Sequence, residues 1–180
     1  MKRRGRLTAA STKAILILAT PFLAASFLGA FFVAAPACLA AEPAAPRYAE
    51  GAAAFQANCA VCHGAKGLGQ PSLAPPLISY PARYASIAEG RRQLAMTVLN
   101  GMFGGIDVEK KHYDFKMPDF TALDDAALAA VLNFVVFDLG GAPDSTKPLT
   151  PEEIASERAH PLEGAAVREH RATVLGALGL

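Results

Sequence analysis

Cys59-Ala60-Val61-Cys62-His63 is the stretch on which the fold of this chain turns: two thiols three positions apart, with an imidazole directly after the second. Paired cysteines at this spacing serve as a redox dithiol, a structural disulfide, or a tether for a metal or cofactor. Upstream, Tyr48, Ala52, Phe55 and Cys59 recur on one helical face, so a helix runs into the pair. Thioredoxin-like chemistry wants a strand there instead. Zinc needs more ligands. The third cysteine, Cys38, lies in an apolar leader, and His112, His160 and His170 form no compact second pair.

The adjacent histidine points to a third use. C-x-x-C-H is the attachment signature of c-type haem, in which both thiols add to vinyl groups and the imidazole is delivered to one face of the iron. The spacing is short because two sulfurs and a ring must meet one rigid macrocycle. The pattern occurs once in the chain, so one haem is expected and a dihaem peroxidase is excluded. Taken alone, the pentapeptide leaves the dithiol and the zinc site open as alternatives.

Working outward, the 180 residues are 52% hydrophobic and 18% charged, with a net charge of +1. These averages blend two unlike parts. Residues 1–40 hold five basic side chains and no acidic one, leaving 12 basic against 16 acidic residues and a net −4 for the remainder. That balance excludes a strongly basic nucleic-acid binder, and the apolar content excludes a low-complexity disordered chain. A basic start, an apolar run from Ala14 to Val33 and small residues around Ala37 to Ala41 make up an export signal, with cleavage expected after Ala40 or Ala41. The run is also long enough to span a bilayer, so an uncleaved anchor is the alternative, and membrane association is expected only in that case. The expected organisation is a signal peptide at 1–40, a linker at 41–47, a domain at 48–140 and a helical extension at 141–180.

From Tyr48 to Leu139 the chain resembles the monohaem class I cytochromes c. The resemblance implies an all-α fold, the cytochrome c fold, with helices wrapped around one covalently bound haem c, here followed by a short helical C-terminal extension. It matches Gly51 and Phe55 to positions that pack against an aromatic of the last helix, for which Phe134 is the counterpart. After the glycine-rich turn Gly64 to Gly69, it matches Pro75, two before Leu77, to a proline whose carbonyl accepts the ring N–H of the proximal histidine.

Iron held by His63 needs a second axial group to shuttle electrons without binding oxygen or substrate. The candidates are Met96, Met102, Met117, His112, His160 and His170. Met96 lies within a helix predicted over Ile87–Asn100, and Met102 continues its apolar spacing, so both are expected in the core. Met117 instead sits in the non-helical loop Tyr113 to Phe120, before a helix capped by Asp124 and running to about Asp138. The family places its methionine ligand in a similar Met-Pro loop. The expected site is therefore Cys59 and Cys62 as covalent haem attachments, with His63 and Met117 as axial iron ligands. His112, in the same loop, is the rival.

Between Cys59 and Pro118 seven basic residues face four acidic ones, and from Asp119 onward four face ten. Such asymmetry steers encounters with charged partners, and Lys66, Lys110, Lys111 and Lys116 are expected to rim the haem edge. Thr150-Pro151-Glu152-Glu153 reads as a capped helix start, and a second helix is predicted over Gly164–Leu178. Neither segment carries a pattern of cofactor chemistry. No acid, base or nucleophile marks a substrate pocket, so an electron carrier is expected rather than an enzyme. The resemblance extends to partners or subunits of periplasmic dehydrogenases and oxidases, which implies a periplasmic protein whose partners are a dehydrogenase, an oxidase or another cytochrome. A dedicated subunit of a dehydrogenase complex and a haem-based ligand sensor are the competing functions. Produced in an exporting, haem-maturing host, the polypeptide is expected to lack its leader and to gain the mass of one haem. Intact mass and a pyridine haemochrome spectrum check both, and a mass without the haem increment would restore the dithiol reading.

Overall fold

The computed structural model describes residues 44–180, so the expected leader, with Cys38, and the first residues of the expected linker lie outside the described residues. Helix α1 (Ala49–Asn58) starts where the Asp138 carboxylate accepts the backbone N–H groups of Arg47 and Tyr48, at 2.6 and 3.0 Å. Its buried face is Gly51 and Phe55. Gly51 is there because another backbone occupies the space a side chain would need. A methyl group on it would meet the Ala130 carbonyl and lie 2.9 Å from Phe134 Cβ. Phe55, fully buried, packs on Phe134 with ring centroids 5.3 Å apart and planes tilted by 53°.

A single helical turn, α2 (Ala60–His63), follows α1 directly, and α3 (Tyr80–Tyr84) comes after a turn-rich loop. Helix α4 (Ala88–Asn100) buries Leu94, Ala95, Met96, Val98 and Leu99 and ends at Gly101. Helix α5 (Asp125–Asn133) begins as its sequence suggests, with the Asp124 side chain accepting the Ala127 N–H at 2.8 Å. It does not continue as an α-helix to Asp138. Phe134–Leu139 form a wider π turn, in which Gly140 N–H reaches back to the Val135 carbonyl at 2.9 Å. Phe134, Val135, Val136 and Phe137 are all buried, and the broad turn distributes them among Phe55, Tyr48 and the central core.

A second departure is β structure where the sequence predicts loop. Strands β1 (Ile106–Val108) and β2 (Lys111–Tyr113) pair antiparallel, with Ile106 opposite Tyr113. Ile106, Val108 and Tyr113 are buried together. The connection is Glu109-Lys110, at φ 51° and 64°, a geometry usually filled by Asn or Gly. The hairpin lacked the residue signature by which such turns are recognised.

Helices α6 (Pro151–Arg158) and α7 (Gly164–Leu178) form where predicted, and the Thr150–Glu153 capping box is complete. They pack on α4 and α5, fully burying Ile154, Val167 and Val174. Asn133 ties the entry to α6 in place: its side-chain amide donates to the Leu149 carbonyl at 2.9 Å and accepts the Leu149 N–H at 2.8 Å. Arg91 adds a two-pronged pair with Glu153, at 2.7 and 2.6 Å. Leu149, Ile154 and Val174 share one core with Leu94, Leu99, Leu128 and Val136, so the expected domain and its extension have a common interior. Among the described residues no helix is long and apolar enough to cross a membrane. Gly51→Ala is expected to cost about 1–3 kcal/mol by forcing the α1–α5 crossing apart, read as a lower denaturant midpoint. An unchanged midpoint would mean that the crossing has room to spare.

Candidate functional site

Helix α1 ends by handing its hydrogen-bond ladder to the segment Cys59 to His63. The Cys59 N–H donates to the Phe55 carbonyl at 2.8 Å, and the His63 N–H to the Cys59 carbonyl at 3.0 Å. Cys59 and Cys62 carry free, half-buried thiols, and both border one large cavity with overwhelmingly apolar walls. Burial, helped by the neighbouring Cys62, pushes the Cys59 thiol up to about 11, so it is protonated at neutral pH. The segment is held from outside by Gln70, whose amide donates to the carbonyls of Val61 and Cys62 at 2.7 and 3.0 Å. Nothing in the sequence pattern marked Gln70 for this task.

His63 is 7% exposed, with its Nδ1 2.9 Å from the Pro75 carbonyl, the contact anticipated from the resemblance. A carbonyl only accepts, so Nδ1 carries the proton and Nε2 is left with its lone pair. Burial holds the imidazole below its ordinary pKa, partly offset by this hydrogen bond. The stabilisation from a buried neutral ring is full above the free-imidazole value of 6.5 and is lost as the pH falls through the lowered value. Pro75 is itself held in place by a crowded turn. Gly69 lies at φ +74°, and a methyl group there would come within 2.7 Å of the Pro75 carbonyl carbon.

Met117 borders the same cavity from the other half of the chain. Its backbone pairs reciprocally with Met102, N–H to carbonyl at 2.9 and 3.1 Å, and Phe120 N–H binds the Val98 carbonyl at 2.9 Å. Met102 is partly buried and packs against the cluster of Ile106, Val108 and Tyr113, in keeping with a core position. The chain turns at Gly101, and Met102 joins the cavity wall. Met96 is in the core, 1% exposed and away from the wall.

Among the described residues, no histidine other than His63 borders the cavity. His112 is exposed on β2, 3.0 Å from the Asp107 carboxylate, and His160 is exposed. His170 is less superficial than expected, half-buried and 2.7 Å from the Gln93 side-chain oxygen. Of the four lysines expected at the rim, only Lys116 touches the cavity. Arg171 of α7 also borders it, so the C-terminal extension is not remote from the site. Arg171 and Tyr84 escaped the sequence reading because their approach depends on how α7 packs on α3.

A family model described as Cytochrome c matches residues 48–136. The chain belongs to the cytochrome c family. It is thus a class I c-type cytochrome with the all-α cytochrome c fold, from a family that binds covalently attached haem c and transfers electrons through it. No curated protein matches this cytochrome. Its donor set fits the group: two thiols, an imidazole with one free nitrogen, and thioethers border a single apolar cavity. Gly69→Ala is expected to displace the Pro75 carbonyl, costing about 1–3 kcal/mol of stability. Faster solvent exchange of the His63 Nδ1 proton in the holoprotein would report it, and unchanged exchange would show that the turn adjusts.

Proposed function

We propose that Cys59 and Cys62 tether one haem c, that His63 and Met117 are its axial ligands, and that this cytochrome carries single electrons in the periplasm between a dehydrogenase and a terminal oxidase or another cytochrome. One observation carries the proposal: His63, its Nδ1 proton held by Pro75, borders the same apolar cavity as both thiols and Met117. When bound, the haem supplies an iron centre that gains and loses one electron at a time. The chain's part is to keep that change inexpensive. Pro75 fixes the ring of His63, the paired backbones of Met102 and Met117 fix the thioether loop, and the dry wall limits solvent rearrangement.

The export signal supports a site of action outside the cytoplasm. Val61, Phe115 and Lys116 are exposed and also line the cavity, which suits a partner that approaches with an acidic, partly apolar face. The same exposed side chains favour, as a second reading, a dedicated subunit of a dehydrogenase complex, which would co-purify with its enzyme. Thioether ligation raises the haem potential relative to two imidazoles. Met117→Ala is therefore expected to abolish the ferric charge-transfer band that reports iron–sulfur bonding. The midpoint potential should fall by a fraction of the roughly 0.8 V range that axial ligands span. Met102→Ala and His112→Ala are expected to retain the band, and its loss in Met102→Ala with retention in Met117→Ala would reassign the ligand.

A further inference from the structure

The cavity wall is apolar apart from a few groups, and two of these are polar in a way the protein alone does not resolve. Arg171, on α7, is 8% exposed. Its only hydrogen bond among the described residues is a long one, 3.3 Å from Nη2 to the Asp107 backbone carbonyl, and no carboxylate pairs with it there. A buried guanidinium without an anion is costly. Beside it stands Tyr84 of α3, whose hydroxyl feels the Arg171 charge. The Tyr84 hydroxyl is buried, and apart from that neighbouring guanidinium, which can only donate, it has no hydrogen-bond partner among the described residues, so its own proton lacks an acceptor. An orphaned hydroxyl and an unpaired cation on one wall call for a single anionic acceptor. Among the described residues no carboxylate borders the cavity to meet that need.

Haem brings two propionate carboxylates into such a cavity. Resting on the haem reading above, we propose that Arg171 and Tyr84 together bind one haem propionate, so that α7, outside the matched residues 48–136, completes the haem site. The guanidinium and the phenol O–H donate, and the carboxylate accepts from both. Among the described residues, the other titratable groups on the wall are Cys59, Cys62, His63, Tyr80, Tyr113 and Lys116, of which Lys116 is the only other permanent cation, and it is exposed. A helix that would otherwise only pack on the core thereby acts on the electrostatics of the redox centre.

The test uses the full-length holoprotein and its Arg171→Gln, Tyr84→Phe and Lys147→Gln forms, with midpoint potentials measured across pH. A propionate paired with Arg171 stays ionised, so the unsubstituted protein is expected to have a nearly pH-independent potential around neutrality. In Arg171→Gln the propionate pKa rises, and the potential should fall and become pH-dependent between about pH 5 and pH 8. The propionate bending band in the resonance Raman spectrum should shift with it. Tyr84→Phe, which removes one oxygen, should move the titration in the same direction by less. Lys147→Gln removes an exposed charge from the preceding loop and should leave the profile flat. An Arg171→Gln profile as flat as that of Lys147→Gln, with an unmoved Raman band, would overturn the inference by reducing Arg171 to a tie between α7 and β1. Should Arg171→Gln yield no holoprotein, Tyr84→Phe decides alone, and an unchanged titration there overturns it. Absence of haem from the unsubstituted protein would overturn the haem reading as well.

Discussion

The backbones of α1 and α5 meet where Gly51 faces Ala130, and the placement of everything around the cavity follows from that crossing. Because α1 continues without a break into Cys59, fixing α1 also fixes two thiols and an imidazole. Because α5 is entered through the loop bearing Met117, the same crossing sets where the thioether loop can lie. Phe55 and Phe134 fill the space beside the glycine, so steric exclusion and aromatic packing act on one junction. Two distant parts of the sequence are thus brought to one cavity by a residue that contributes no side chain.

Around the cavity, polar groups are few and nearly all serve to orient something else. Gln70 holds the attachment turn, Pro75 holds His63, and the main chains of Met102 and Met117 hold each other. Burial disfavours charge on His63 and on the free Cys59 thiol, and among the described residues lining the cavity only Arg171 and Lys116 carry a permanent charge. Low polarity and fixed dipoles together are what a redox site needs if its environment is to change little between oxidation states.

Much of this was legible from the residues. The Asp124 cap, the Thr150–Glu153 box and the Gly51–Phe55–Phe134 junction are short-range signals with fixed offsets, and each recurs in the structure. What escaped has a common cause. The hairpin turns at Glu109-Lys110 without Gly or Asn, so no composition cue announces its positive φ values. The π turn depends on the packing of Phe134 to Phe137 against three neighbours, which periodicity along one helix does not encode. Met102 packs in the interior as its spacing implied, but its backbone pairing with Met117 after Gly101, which also sets it at the cavity wall, carries no sequence signal. Arg171 lies about fifty residues beyond Met117, and only the docking of α7 brings it to the cavity.

The amide of Asn133 bears on how the molecule comes apart. Its two hydrogen bonds to Leu149 are buried, and they join the central helix to the strand of chain leading into α6. Peeling the last thirty residues away would strip a donor and an acceptor of their partners at the buried C-terminal end of α5, besides uncovering Ile154 and Val174. Partial opening from the C-terminus therefore costs buried hydrogen bonds as well as apolar burial. The stretch that sequence alone would set apart as an appendage shares its interior with α4 and α5, so loosening one is expected to loosen the other.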